Sequence, residues 1–327
     1  MHLTAAMRSL FLLAALIAFA PLHAQNFPQK PVRLIIGFAP GGGSDVPARI
    51  VARKLTEVLG QPVLVENRTG AGGYVGAIAV AKAAPDGYTL YGCTIATHGI
   101  GPGLYRAPPV DAEKDFSFVG MVGFNPNVLI VHPSVPAKTL ADFIKWAKAS
   151  GGKFNYAAPS LGGSPHLSME MLKQMAGFQM TGVPYRGDAP ARQDVIAGHL
   201  PAMFGAVGPS VSAIKSGQVG ALAVTSPKRD PSLPDVPTVE ESGFPGFHVV
   251  SWLGLCAPAG TPEPVLDTLN AALLKVLNQP ETREQLTRAS VQLDLLSRAE
   301  FTAFVRSEIA KWRRVTQSAG LALELTN

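Results

Sequence analysis

Two hydrophobic rhythms alternate along this chain. Val32 to Ile36 is a short apolar run broken only by Arg33, and it passes through the small residues Gly37 to Ser44 into Ile50, Val51, Leu55, Val58 and Leu59, which share one helical face until Gly60 stops it. Pro62 to Val65 predicts a second strand. A glycine-rich turn, Asn67 to Gly73, leads to a helix around Val75 to Ala83, and Asp86-Gly87 turns the chain into a strand from Tyr88 to Cys93. Strands that are apolar throughout, joined through helices, predict a largely parallel sheet covered on both faces.

The middle third continues in the same style. A helix over 140–149 is capped by Thr139, strands are expected at 154–158, 182–185 and 221–225, and helices lie near 165–176 and 189–197, with Ser164 and Asp188 as their expected caps. Towards the end, Thr261-Pro262 opens a helix to about Leu277. Ser297 and Glu300 form a capping box ahead of Phe301, Phe304, Val305, Trp312 and Val315. Two apolar segments, 119–131 and 249–255, flank the middle third and read as crossings between halves. They predict an α/β fold of two domains, residues 26–124 plus 250–327 and residues 125–249, able to hinge about a cleft.

Residues 1–24 depart from this pattern. One cation, Arg8, precedes an unbroken apolar run from Leu10 to Ala20, and Pro21-Leu22-His23-Ala24 ends in a small residue. Such a segment reads as a cleaved export signal and is too short to span a bilayer, which predicts a mature chain beginning near Gln25. No cysteine at the cut suggests a lipid anchor. The formal charge of +5 falls to +4 without Arg8, and the bases are scattered, so no nucleic-acid patch or membrane anchor stands out. Seven histidines and two cysteines show no metal spacing, and no cofactor is expected. Cys93 and Cys256 suit one disulfide in an oxidising compartment and equally suit two small buried hydrophobes.

Three stretches share a local design: Ala39-Pro40-Gly41-Gly42-Gly43-Ser44, Ala158-Pro159-Ser160-Leu161-Gly162-Gly163-Ser164 and Ala257-Pro258-Ala259-Gly260-Thr261. Each follows a strand, breaks at Ala-Pro, passes through small residues and opens a helix. Ligands of open α/β sheets sit at such strand ends, where helix starts present unpaired N–H groups suited to an anion. As a nucleotide-hydrolase loop the first stretch fails, because Gly43 stands where the lysine must be. The dinucleotide spacing fails too. Ser164, His166 and Asp188 are the residue types of an esterase, yet no Gly-x-Ser-x-Gly elbow is present.

The run Pro31 to Asp45, together with Glu66-Asn67-Arg68, Gly70-Ala71-Gly72-Gly73, Ala84-Pro85-Asp86-Gly87-Tyr88-Thr89-Leu90, Val183-Pro184-Tyr185-Arg186-Gly187, Pro234-Asp235-Val236-Pro237-Thr238 and Ala257 to Pro262, resembles the periplasmic substrate-binding proteins of tripartite tricarboxylate transporters, the Bordetella-uptake-gene type. The resemblance covers the whole mature chain in order. It implies a Venus-flytrap clamshell of two α/β domains that binds a small organic carboxylate in the periplasm, without catalysis, as a monomer. The partner would be a membrane permease, or a membrane sensor in a signalling variant.

By the same resemblance, the carboxylate is held by backbone N–H groups and water. Contacts would come from Phe38, Ala39, Gly42, Gly43, Ser44 and Asp45 in one domain and from Ser160, Gly163, Ser164 and His166 in the other, with Arg186, Gly187 and Asp188 as further cleft residues. Each has a plainer role. Ser44 is a helix cap, Asp45 is stabilised by a helix dipole, His166 packs or caps, and Arg186 is a solvated loop cation. Three positions depart from the family's usual pattern: Gly101 and Gly163 stand where asparagine and threonine are common, and Gly205 where acidic or polar residues occur. All three touch specificity more than binding.

Overall fold

The computed structural model describes residues 27–159, 161–247 and 249–318. The expected export segment and Ser160 therefore lie outside the described residues. Strands β1 (Val32–Ile36), β2 (Val63–Asn67) and β3 (Thr89–Thr94) pair in parallel in the order β2–β1–β3. Helices α1 (Asp45–Leu59) and α2 (Tyr74–Ala81) connect them. Alternation along β1 feeds two cores: Leu34 and Ile36 pack with Val51 and Leu55 of α1, while Ile35 packs with Tyr74 and Tyr91 on the other face. Burial on both sides is why these strands lack the polar alternation of a half-exposed sheet.

After the short α3 (Gly101–Leu104) comes β4 (Phe116–Val131), sixteen residues long. Its first part, to Pro126, pairs antiparallel with β9 (Val250–Pro258), which also pairs antiparallel with β3. Its last part, from Asn127, pairs antiparallel with β7 (Ala202–Ala206) on one side and β8 (Gly220–Val224) on the other. The two apolar crossings of the sequence are thus β4 and β9, lying side by side. Here the expected parallel pattern gives way, because a chain that leaves along one strand and returns along its neighbour must run antiparallel. Parallel pairing resumes in β5 (Asn155–Ala158) with β6 (Thr181–Pro184).

The middle third carries α4 (Leu140–Ala149), α5 (Ser164–Ala176), α6 (Asp188–Ile196) and α7 (Val207–Lys215). The described residues end with α8 (Glu263–Leu277), α9 (Pro280–Arg288) and α10 (Arg298–Ser318). Thr139 and Asp142 form a reciprocal capping box on α4, and Ser297 exchanges bonds with Glu300 ahead of α10. Other caps differ from expectation. Ser44 occupies the cap position of α1 but makes no side-chain cap bond, while Ser164 and Asp188 are first helical residues behind Gly163 and Gly187. In the last two cases the loop glycine takes the turn and frees the side chain behind it. The hydrophobic pattern did not announce β7, α7 or α9. Ala-Met-Phe-Gly-Ala has no β-branched residue, α7 opens on Val-Gly-Pro, and α9 is mostly polar.

Cys93 and Cys256 form a disulfide, with Cα atoms 6.0 Å apart. Register explains the choice between the two readings of this pair. Cys256 lies opposite Tyr91, two residues from Cys93 along β3, so the cysteines are diagonal neighbours across the β3–β9 pair. No helix among the described residues is long and apolar enough to cross a membrane.

Candidate carboxylate-binding cleft

Loops at the carboxyl ends of β1, β5 and β6, the end of β3 and the middle of β4 surround one cleft. It holds about 560 Å³ of space between atoms, part of it continuous with solvent. Phe38, Gly42, Gly43 and Ser44 line it from one side, and Gly163, Ser164, Pro165, Gly187, Asp188 and Ala206 from the other. Helices α1, α5, α6 and α7 all begin here. Four positive helix ends converging on one space favour an anion, since the N–H groups of a first turn have no carbonyl four residues back. Among the described residues that line the cleft, none is a lysine, arginine or histidine.

Two of the loops are held by the same device. Gly41, at φ +75°, donates its N–H to Asp45 Oδ2 at 2.8 Å, and Gly162, also at φ +75°, donates to His166 Nδ1 at 3.2 Å. In each, a side chain four residues on ties down a left-handed glycine that other residues would strain. Asp45 is fully engaged: Arg49 donates to Oδ2 at 2.9 Å and Asn67 to Oδ1 at 2.7 Å, and Asn67 also donates to the Phe38 carbonyl. The His166 proton is thereby placed on Nε2, which faces Glu170 at 4.0 Å, and burial lowers the imidazole pKa. Asp45 and His166 shape the loops without lining the cleft.

Asp188 lines the cleft and is already neutralised. Arg192 Nη1 donates to its Oδ1, and the Ala206 N–H at the start of α7 donates to Oδ2 at 2.8 Å. Burial pushes the carboxyl upward, opposed by the Arg192 guanidinium and the Ala206 N–H. Asp188 thus acts as an internal anion on the α7 helix end, and Asp45 stands in the first turn of α1, so of these four helices α5 alone begins without a carboxylate. Gly205 belongs to this arrangement, because a Cβ there would sit 2.9 Å from Asp188 Oδ2.

The floor is sheet. Thr94 of β3 lies opposite Leu253 of β9, and Ser251 of β9 lies opposite Asn125 of β4. Alternation places Thr94, Ser251, Asn125 and Asn127 on one face. On that face Leu90, Leu253 and Leu255 belong to the apolar core with residues of α1 and α8, so the sheet turns polar where it reaches the cleft. Asn125 Nδ2 donates to the Gly43 carbonyl at 2.7 Å, and Asn127 Nδ2 to Ser164 Oγ at 3.1 Å. Asn125 Oδ1 and Thr94 Oγ1 are buried without a partner. Sequence reasoning missed this row. Its signal was two asparagines two residues apart in the otherwise apolar crossing 119–131.

The remaining expected residues lie elsewhere. Ala39 does not line the cleft; its N–H donates to the Arg186 carbonyl at 3.2 Å, joining the loops after β1 and β6. Arg186 itself is exposed. The loops press together closely: a Cβ on Gly43 would lie 2.6 Å from the Ala206 Cβ, and Tyr105 Oη donates to the Leu161 carbonyl at 2.9 Å.

Comparisons with known proteins agree with this geometry. Residues 47–321 match the model of the tripartite tricarboxylate transporter family receptor. The chain is 34% identical to Protein BugT of Bordetella pertussis over 316 residues, covering 96% of this chain and 97% of BugT. An R. palustris protein solved with adipate superposes with a TM-score of 0.87 at 34% identity, over 91% of this chain and all of that one. MatC from Rhodopseudomonas palustris, with bound malate, gives 0.85 at 35% identity, over 88% and 99% of the two chains. With its clamshell fold and glycine-loop cleft, this chain belongs to the tripartite tricarboxylate transporter receptor family of periplasmic substrate-binding proteins.

Proposed function

We propose that the protein is exported by residues 1–24, binds a small organic carboxylate between domains formed by 26–124 plus 250–327 and by 125–249, and delivers it to the permease of a tripartite tricarboxylate-type transporter. The observation that carries this reading is the cleft itself: helix starts from both halves converge on a space whose described lining residues include no cation. Backbone N–H groups and helix ends hold a carboxylate through charge-assisted bonds without a formal positive charge. The two R. palustris proteins were solved with the carboxylates adipate and malate, which supports a carboxylate ligand here. The Cys93–Cys256 bridge fits an oxidising, extracytoplasmic setting.

The cleft is a binding site without catalysis. Ser164 Oγ accepts a bond from Asn127, and His166 Nδ1 accepts one from Gly162, so neither is arranged as a nucleophile beside its base. Thermal unfolding of ligand-stripped protein against mono-, di- and tricarboxylates, nucleotides and a chromogenic ester tests the proposal. A ligand at a thousand times its Kd adds about 4 kcal/mol, a shift of several degrees at this size. Stabilisation by carboxylates without ester turnover is expected; stabilisation by nucleotides alone, or turnover, would overturn it.

A further inference from the structure

Strand β4 carries Asn125 and Asn127 two residues apart, and so on one face, at the point where the chain crosses between its halves. Both are buried, at 6% and 2% exposure. Each reaches a different jaw of the cleft. Asn125 Nδ2 donates to the Gly43 carbonyl at 2.7 Å, in the loop that opens α1, and Asn127 Nδ2 donates to Ser164 Oγ at 3.1 Å, on the first residue of α5. A buried amide needs partners that a leucine in the same strand would not, so two of them spent on opposing loops call for a reason beyond packing.

Both bonds change what the loops offer an anion. A peptide unit is planar and trans, so its N–H points opposite its C=O. Holding the Gly43 carbonyl against Asn125 therefore turns the N–H of the same peptide unit, that of Ser44, away from the floor. Ser44 stands at the cap position of α1 and lines the cleft, and its N–H meets no acceptor among the described residues. In the other jaw, the Ser164 hydroxyl can donate or accept. The Asn127 amide fills its accepting side, and no group among the described residues takes its proton, which is left for a ligand. Ser164 also opens the one helix of the four that begins without a carboxylate. Without these amides, a carbonyl and a hydroxyl lone pair would be free to face the bound anion and repel it.

We infer that Asn125 and Asn127 are positioning residues that make one group in each jaw, the Ser44 N–H and the Ser164 hydroxyl, a hydrogen-bond donor to the ligand carboxylate. This rests on the carboxylate-receptor reading and deepens it. Calorimetry with acetate, butyrate, benzoate, malate, adipate, citrate and glutamate selects the tightest-binding probe, which is then titrated into variants. Ser164→Ala is expected to weaken that probe by about tenfold or more, the scale of a hydrogen bond to a charged group. Asn127→Leu is expected to weaken it severalfold in the parent and to add nothing once Ser164→Ala is present, which a merely structural role would not produce. By NMR, the Ser44 amide proton should move downfield on saturation with the probe in the parent and in Asn127→Leu, and not in Asn125→Leu. Asn125→Ala and Asn127→Ala, which only shorten the side chain, repeat the comparison if leucine does not fold. An unchanged affinity in Ser164→Ala, an Asn127 substitution that costs nothing or costs as much without the Ser164 hydroxyl as with it, or a Ser44 proton that ignores the probe or answers it equally in the Asn125 variant, overturns the inference and leaves the receptor reading standing. Failure of every carboxylate to bind overturns the receptor reading itself.

Discussion

His98 shows how much one buried side chain can decide. It lies fully buried against Tyr91, Phe116 and Phe118, with Nδ1 at 2.9 Å from Thr97 Oγ1 and no partner for Nε2. Burial lowers its pKa to about 3. An unfolded histidine titrates near 6.5, so between those values the unfolded chain binds the extra proton and stability falls as pH falls. The folded state should lose about 2 kcal/mol more between pH 6.5 and 4.5 than it does in His98→Leu, as read from urea unfolding at each pH. Equal pH slopes for the two proteins would mean that the imidazole is not held neutral. In the sequence His98 was only part of a glycine-rich stretch. Its burial depends on Phe116 and Phe118, which a separate strand brings to it. Ser44 and Asp45 were legible as residues of a helix start, but which would serve the loop was not, because the choice rests on Asn67, twenty-two residues away.

At the scale of elements, the strands and helices that follow local rules were readable, and the elements that depend on partners were not. The apolar runs of β1 to β3 and the capping boxes at Thr139 and Ser297 are written in neighbouring residues. The segment Ala202–Ala206 is a strand because β4 pairs with it, and the polar floor exists because three strands bring one or two polar residues each onto one face. The glycine loops are the elements that meet across the cleft. Ala206 is held in register opposite Asn127, so it cannot retreat from a side chain at position 43. Gly43→Ala should therefore oppose the closed arrangement and leave each half folded. Overpacking of 1–3 kcal/mol corresponds to ligand affinity weaker by roughly ten- to a hundredfold, with the melting temperature of the unliganded protein little changed. Calorimetry and unliganded melting curves check this, and an affinity equal to the parent's would show that the loops do not meet as described.

For the whole molecule, β4 and β9 make one sheet run through both halves, and any hinge must bend these two strands. Ligand is expected to shift the population towards the closed form, measured as a smaller radius of gyration in solution scattering; identical profiles with and without saturating ligand would count against it. The disulfide acts on a different quantity. It joins residues 163 apart in sequence, so its loss should cost about 2–5 kcal/mol of unfolding free energy in the Cys93→Ala, Cys256→Ala double variant. An unchanged urea midpoint would refute this. The two-domain plan was legible from the crossings, whereas the bridge was not, since only the β3–β9 register brings the cysteines together. The floor has a practical consequence for engineers. Its row stands on strands, one adjacent pair of them cross-linked, while the proposed grip on the carboxylate comes from main chain. A library limited to codons 94 and 251 would therefore search new cargoes while Asn125 keeps its bond to the Gly43 loop, turning this receptor into a chassis for biosensors of chosen acids.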